Sequence, residues 1–225
     1  MKKIIYYISD HGNGHATRTI AIIRELQKKN IQVIIRNSNS LKLIKNALPE
    51  NEIIEGITDV GPIIKNDGIS IDEDKSSHVI MKWIQNIEKT SYQESKFIKK
   101  HEPNLIISDI SVMPLLSGKM CNIPSITISN FSWYDVLKFL PKKTLNKINQ
   151  LYEYSDLHIQ LPLSTSLNHF KNKKTVGFVV RKPTITKNDL KRKLGIKKNE
   201  FSVLIALDDF NNIKFDNYKN FKFLT

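Results

Sequence analysis

The sequence predicts an α/β protein built on a doubly wound parallel sheet, and three observations carry that prediction. Apolar, β-branched runs recur along the chain at Lys3–Ser9, Ile31–Arg36, Leu105–Ser108, Ser125–Ser129 and Leu157–Leu161. Apolar or β-branched residues occupy consecutive positions in most of them, as in strands covered on both faces. Helical patterns separate the runs, and strand–helix alternation folds into a parallel sheet through right-handed crossovers.

The opening Met1–Asp10 superficially resembles a signal peptide. Its apolar run is too short and ends in a charge without a small-residue cleavage site, so it reads as the first strand. A turn, His11-Gly12-Asn13-Gly14-His15-Ala16-Thr17-Arg18, leads into a helix over Thr17–Lys29 with Ile20, Ile23 and Leu26 at helical spacing. The second strand follows. Gly56–Asp74, carrying Gly61-Pro62 and Asn66-Asp67-Gly68, reads as a mobile loop. A long helical stretch over Asp74–His101 stops at His101-Glu102-Pro103, because a residue before proline avoids the helical region. Helices over Val112–Met120 and Trp133–Tyr154 flank the strand that starts after Asn122-Ile123-Pro124. Residues 1–180 therefore form one Rossmann-like domain. Beyond Thr175-Val176-Gly177 the character changes: Arg181-Lys182-Pro183-Thr184 reads as a linker, Lys187–Leu194 as a short helix ending at Gly195, and Phe201–Leu207 as the first strand of a new unit. Residues 181–225 are expected to be a linker and the truncated beginning of a second domain, too short to bury a core of their own.

The composition, with 40% hydrophobic and 25% charged residues in 225, is that of a globular chain. Cys121 is the single cysteine, which excludes an internal disulfide and a cysteine-based metal cage and suits a reducing, cytoplasmic location. No apolar stretch is long enough to cross a bilayer. Of the net charge of +13, most sits at the end: residues 171–225 hold 14 Lys and Arg against 5 Asp and Glu, and residues 1–170 hold 21 against 17. A basic end segment suits anionic partners such as a membrane surface, phosphates or nucleic acid, unless the lysines only solvate the surface.

In an open parallel sheet, ligands bind beyond the carboxyl ends of the strands. Four polar clusters are expected there: Asp10–Arg18, Asp109-Ile110-Ser111, Asn130-Phe131-Ser132-Trp133 and the Gly56–Asp74 loop. Gly12 and Gly14 permit a sharp turn and close approach of a ligand. The unpaired amides at the start of the following helix suit a phosphate, carboxylate or oxyanion, although Thr17 also reads as an N-cap and Arg18 as a solvated residue. His15 beside this turn suits proton transfer from a hydroxyl. Asp109, ending a separate buried strand, suits orienting that imidazole; the plainer roles are a loop hydrogen bond for His15 and a helix cap for Asp109. His11 and His15 meet on one face only in a helix, which the glycines oppose, and no third ligand is evident, so no metal is expected. Cys121 reads as a small core residue, while Trp133 and Tyr134 suit either stacking on a sugar or base, or core packing. The glycine turn starts like a dinucleotide fingerprint but lacks its third glycine, and Arg36 stands where an acidic ribose ligand is usual. NADP or nucleotide binding is thus the alternative. No Walker-type loop and no Gly-x-Ser-x-Gly elbow occurs.

Ser9-Asp10-His11-Gly12-Asn13-Gly14-His15-Ala16-Thr17-Arg18 resembles the first loop of GT-B glycosyltransferases. The group in question includes MurG, monogalactosyldiacylglycerol synthase and proteins with Gly-x-Gly-His-Ala-Thr-Arg, and the N-terminal part of plant arabinokinases has a similar loop. Ile106-Ile107-Ser108-Asp109 and Ile123–Trp133 are similar to later strands of the same domain, so that the likeness spans roughly residues 1–180. It implies a GT-B N-terminal domain that holds the acceptor, with His15 as general base and Asp109 in support. Gly12, Asn13, Gly14, Thr17, Arg18, Ser111, Asn130, Ser132 and Trp133 are then expected to line the acceptor cleft. The implied co-substrate is a nucleotide-sugar rather than a bound cofactor, and the implied partner a sugar or lipid-linked acceptor, with peripheral membrane contact through residues 171–225 and no nucleic acid. The donor belongs to a C-terminal domain, yet Leu204-Ile205-Ala206-Leu207-Asp208-Asp209-Phe210 lacks the glycine-rich turn usual there. The chain is therefore expected to be half an enzyme, or else a non-catalytic binding or regulatory module.

Overall fold

A computed structural model describes residues 1–205 and 220–224. The chain divides into two compact units, one of Met1–Pro62 with Glu73–Arg181, the other of Ile63–Asp72 with Lys182–Thr225.

The elements of the first unit run β1 (Lys3–Tyr7), α1 (Asn13–Gln27), β2 (Gln32–Asn37), α2 (Leu41–Ala47), β3 (Glu52–Glu55), α3 (Glu73–Gln85), α4 (Ile87–His101), β4 (Leu105–Ser108), α5 (Met113–Cys121), β5 (Ser125–Ser129), α6 (Trp133–Val136), α7 (Lys142–Tyr152), β6 (Leu157–Gln160) and β7 (Lys173–Thr175). The seven strands form one sheet in the order β3-β2-β1-β4-β5-β6-β7, and every pair is parallel. This is the predicted doubly wound fold. Side chains of β1 and of the residue after it alternate between the two faces: Ile4, Tyr6 and Ile8 pack with Ala16, Ile20 and Ile23 of α1, and Ile5 and Tyr7 with Ile98, Leu115 and Leu116 of α4 and α5. Each face is sealed, which is why the strand reads as a continuous apolar run.

Three helices differ from expectation. The first begins at Asn13, four residues before Thr17. Gly12, at φ 81°, turns the chain in a single residue, and burial of Ala16, Thr19, Ile20 and Ile23 outweighs the roughly 1 kcal/mol that Gly14 costs inside a helix. Thr17 is thus a mid-helix residue, not an N-cap. The long Asp74–His101 stretch is two helices, interrupted at Asn86, whose side-chain amide bonds back to the Lys82 carbonyl at 2.8 Å and competes with the helical ladder. The Trp133–Tyr154 stretch likewise breaks, over residues 137–141, and Pro141 stands just before the second helix. The short edge strands β3 and β7 have polar or charged sequences, Glu-Ile-Ile-Glu and Lys-Lys-Thr, of the kind that discourages edge-to-edge pairing.

Beneath the sheet's centre lies a buried polar network. Arg36 donates from Nε and Nη2 to the two oxygens of Glu94, at 2.9 and 2.7 Å, and from Nη1 to the carbonyls of Ile54 and Glu55. The Tyr7 hydroxyl donates to the same carboxylate at 2.9 Å. Arg36 is therefore committed to the interior and is not free to meet a 2′-phosphate, which removes the residue that kept NADP in view.

On β6, His158 is fully buried, accepts or donates at Nδ1 with the Thr127 hydroxyl at 2.8 Å, and stacks on Phe170 at 4.0 Å. Burial, with His169 and Lys173 nearby, pushes its pKa down to about 4. An unfolded histidine takes up a proton near pH 6.5 that this one refuses until about pH 4. Stability contributed by the neutral ring is complete above pH 6.5 and is lost as pH falls through that window, by up to about 3 kcal/mol. Urea midpoints taken at neutral and mildly acid pH are expected to fall further for the natural protein than for His158→Gln; equal falls would exclude the assignment.

In the second unit, α8 (Lys187–Lys193) is capped by Thr186, whose hydroxyl accepts from the Asp189 amide at 3.2 Å. β8 (Phe201–Leu204) pairs in parallel with β9 (Phe221–Leu224). The helix expected over Lys187–Leu194 is present, with Gly195 at φ 63° just past its end. Of the strand expected over Phe201–Leu207, residues 206 and 207 lie outside the described residues, as does the rest of the segment to Phe210. Among the described residues no helix is long and apolar enough to cross a membrane.

Candidate functional site

Strands β1 and β4 are neighbours at the centre of the sheet, and the chain leaves them toward opposite edges. Such a switch point opens a crevice at the carboxyl ends of the two strands. His15 enters it from the first turn of α1, and Asp109 is the residue after β4.

Asp109 is aimed by its backbone. Its amide donates to the Tyr7 carbonyl at 2.9 Å, and Ile110 beside it takes φ 68°. A β-branched residue in the left-handed region is strained. Ile110 is held there by full burial of its side chain and by the Tyr152 hydroxyl, which donates to its carbonyl at 2.6 Å.

The Asp109 carboxylate is wholly buried. Its Oδ2 lies 3.1 Å from His15 Nδ1 and 3.5 Å from the Thr19 hydroxyl, while Oδ1 accepts from Arg18 Nη2 at 2.6 Å. Burial alone would raise its pKa, but His15 and Arg18 beside it more than offset that and hold it below the ordinary carboxylate value. Arg18 also donates from Nη1 to Asn130 Oδ1 at 3.0 Å, and its Nη2 lies 2.8 Å from His15 Nδ1. Phe131 meets the His15 ring edge to face, with centroids 5.8 Å apart. Four expected residues, His15, Arg18, Asp109 and Asn130, thus converge on one cluster. Arg18 is an interior ion-pair partner and not a solvated residue.

Others of the expected set serve the rim. Gly12 and Gly14 have open space where a Cβ would stand, and the first turn of α1 has no side-chain cap. Asn13 is tied to the loop after β2, its Oδ1 accepting from the Ser40 hydroxyl at 2.9 Å. Ser132 is fully buried and caps α6, its hydroxyl accepting from the Asp135 amide at 3.1 Å. Trp133 is 4% exposed and donates from Nε1 to Asp59 Oδ2 at 3.1 Å. These two form the wall behind the crevice and offer no free ring face for stacking. Ser111, also fully buried, lies near the Asp59 carboxylate but outside ordinary hydrogen-bond geometry.

Two carboxylates went unassigned in the sequence. Asp10 Oδ1 accepts from Asn37 Nδ2 and the amides of Ser38 and Asn39 at 2.8, 2.7 and 3.2 Å. Its Oδ2 accepts from the Thr58 amide and hydroxyl at 2.7 and 3.2 Å. One side chain therefore ties together the loops after β1, β2 and β3. Asp59 accepts from the Ser9 hydroxyl and the Asp10 amide at 2.8 and 2.9 Å, and burial raises its pKa against those bonds. The only hint of either was their position just beyond a strand end. His11 packs edge-on to Trp133 with centroids 5.6 Å apart and against Gly61, where a Cβ would strike the imidazole. Cys121 donates to the Ser95 carbonyl at 3.3 Å, and burial raises its thiol pKa. Among the described residues no group of three or more His, Cys, Asp or Glu side chains is placed to hold a metal ion.

A family model described as glycosyl transferase family 1 matches residues 2–211. A curated relative, L-arabinokinase of Arabidopsis thaliana, is 21% identical over 213 residues, covering 89% of this chain and 20% of its own length. The fold is similar to UGT89C1 of Arabidopsis thaliana complexed with quercetin, at TM-score 0.57 and 11% identity over 91% of this chain and 57% of that one. It is also similar to UGT2 of Phytolacca americana complexed with UDP-2fluoro-glucose and pterostilbene, at 0.56 and 9% over 92% and 60%. MurG of Acinetobacter baumannii gives 0.50 and 12% over 91% and 52%. The chain thus spans about a fifth of the arabinokinase and between half and three-fifths of these structures.

Proposed function

The chain belongs to glycosyl transferase family 1, and from that premise we propose that its first unit is the acceptor-binding side of an enzyme moving a sugar from a nucleotide to a hydroxyl. One observation carries the reading: a histidine and a buried carboxylate 3.1 Å apart at the sheet's switch point. His15 is the general base. It accepts the hydroxyl proton at Nε2 while Nδ1–H donates to Asp109, whose charge stabilises the imidazolium that forms. The hydroxyl oxygen then attacks the sugar's anomeric carbon, and the nucleotide leaves with the bonding electrons. Gly12, Gly14 and the first turn of α1 border the acceptor on one side, and Asn130 and Phe131 on the other.

The Phytolacca UGT2 complex contains UDP-2fluoro-glucose, and a nucleotide-sugar is the donor proposed here as well. It is held by a donor-side domain into which residues 181–225 lead. The acceptor is a sugar or lipid-linked sugar. The Lys- and Arg-rich residues from 171 onward supply the charge for contact with an anionic membrane.

Titration of the isotopically labelled chain separates this reading from a nucleotide-binding one. Saccharide acceptors are expected to shift His15 and Phe131 resonances saturably. If nucleotide-sugars move those signals and no saccharide does, the crevice is a nucleotide site and the assignment fails.

A further inference from the structure

We propose that Arg18 is a positioning residue that fixes the resting tautomer of His15, with the ring proton on Nε2 and a lone pair on Nδ1. The importance of that tautomer rests on His15 being the base; the tautomer itself rests on the distances around Nδ1. A guanidinium only donates hydrogen bonds. Arg18 Nη2 carries two protons: one reaches Asp109 Oδ1 at 2.6 Å and the other points at His15 Nδ1 at 2.8 Å. An N–H aimed at a ring nitrogen over that distance requires a lone pair there. The rival bond, from Nδ1–H to Asp109 Oδ2, is longer at 3.1 Å.

The guanidinium is also anchored at its far corner, because Nη1 donates to Asn130 Oδ1 at 3.0 Å. In this resting state Asp109 Oδ2 keeps the Thr19 hydroxyl at 3.5 Å, and that weakly satisfied oxygen is what draws Nδ1–H toward it once Arg18 withdraws. Phe131 presents ring to ring and offers no conventional hydrogen bond, and the buried Asp59 carboxylate acts on the imidazole through its charge rather than by a hydrogen bond.

The two tautomers do different chemistry. With the proton on Nε2, His15 donates toward the crevice and can bind a hydroxyl oxygen, but it cannot take that hydroxyl's proton at Nε2. Proton acceptance requires Nδ1–H to face Asp109, and Arg18 must first leave Nδ1. Conversion returns the Nε2 proton to solvent and takes one at Nδ1, so the net charge does not change. Arg18 therefore keeps the pair from acting as a base until its guanidinium is drawn aside. Its side chain is 17% exposed, so an anionic group entering the crevice has an edge to reach.

Histidine nitrogen–proton correlation spectra of the full, unliganded chain read the tautomer directly, at about two pH units above the ordinary histidine value. The Nε2–H form of His15 is expected in roughly tenfold excess or more, the scale of one charge-assisted hydrogen bond. Arg18→Met, which cannot donate, is expected to reverse the preference toward Nδ1–H. Asn130→Ala retains both charges and is expected to reduce the excess, which keeps the test decisive if Arg18→Met does not fold. A majority of Nδ1–H in the natural protein would overturn the proposal, as would folded Arg18→Met and Asn130→Ala variants with an unchanged tautomer ratio. No acceptor or donor is needed, so this result and that of the acceptor titration stand or fall separately.

Discussion

Replacing His15 by alanine is expected to lower sugar-transfer turnover about 10²–10⁴-fold, the usual scale for loss of a general base. The effect belongs in kcat rather than in acceptor affinity, because the ring's part in binding is one hydrogen bond while its part in reaction is the whole proton transfer. The measurement is nucleotide release from a nucleotide-sugar in the presence of a hydroxyl acceptor, with the donor side in place. Removal of His15 also strips Asp109 of one partner but leaves it paired with Arg18 at 2.6 Å, so the crevice keeps its fold and the loss reports chemistry. Turnover close to that of the natural protein would remove His15 as base and favour a non-catalytic binding or regulatory role.

Glu94→Ala is expected to cost about 3–5 kcal/mol of stability, since it leaves a buried cation without its counter-charge. The Arg36 guanidinium is 10% exposed and the Glu94 carboxylate 9%; the carbonyls of Ile54 and Glu55 remain, but they carry no charge. The Tyr7 hydroxyl loses its acceptor in the same substitution. Against a total stability of roughly 5–15 kcal/mol this is a large fraction. Urea unfolding reads it as a shift in midpoint at unchanged slope. Replacing both partners by apolar residues, as in Arg36→Met with Glu94→Leu, is expected to recover much of the loss. A cost below about 1 kcal/mol for Glu94→Ala would mean that the pair behaves like an exposed one.

β1, β2 and β4 were legible in the sequence because each is sealed on both faces and so written in consecutive apolar letters, whereas β5, Ser-Ile-Thr-Ile-Ser, was marked by its run of β-branched residues. β4 and β5 have the residue limits predicted for them. The edges were not legible. β3 and β7 pair with the sheet along one side only, and their sequences carry solubility as much as structure. The helix break at Asn86 is a single-residue event and that over residues 137–141 a short one, both inside otherwise continuous apolar periodicity, and the early start of α1 hides behind two glycines that on propensity alone oppose a helix.

The site divides in the same way. His15, Asp109 and Asn130 could be named because strand ends in a parallel sheet are known positions for ligands. The part played by Arg18 depends on where a long side chain ends, 91 residues away in sequence at Asp109 and 112 away at Asn130, and no local pattern encodes that. Ser132 and Trp133 show the converse: the right segment, with side chains turned to capping and wall-building. Ile110 had no signal at all, since isoleucine is among the last residues expected at positive φ.

The carboxylate of Asp10 has a consequence for how the crevice receives a ligand. With five hydrogen bonds from the end of β2 and the loops after β2 and β3 converging on one side chain of the loop after β1, the β1–β3 half of the rim is assembled before anything binds. The other half hangs on Arg18, whose guanidinium is already held by Asp109, Asn130 and His15 and leaves one edge open to the crevice. An incoming sugar therefore meets one wall tied through several backbone amides and one tied through a single side chain. The cost of recognition is that of breaking an existing ion pair rather than ordering a loose group, and it falls on the half of the crevice that also governs the proton on His15.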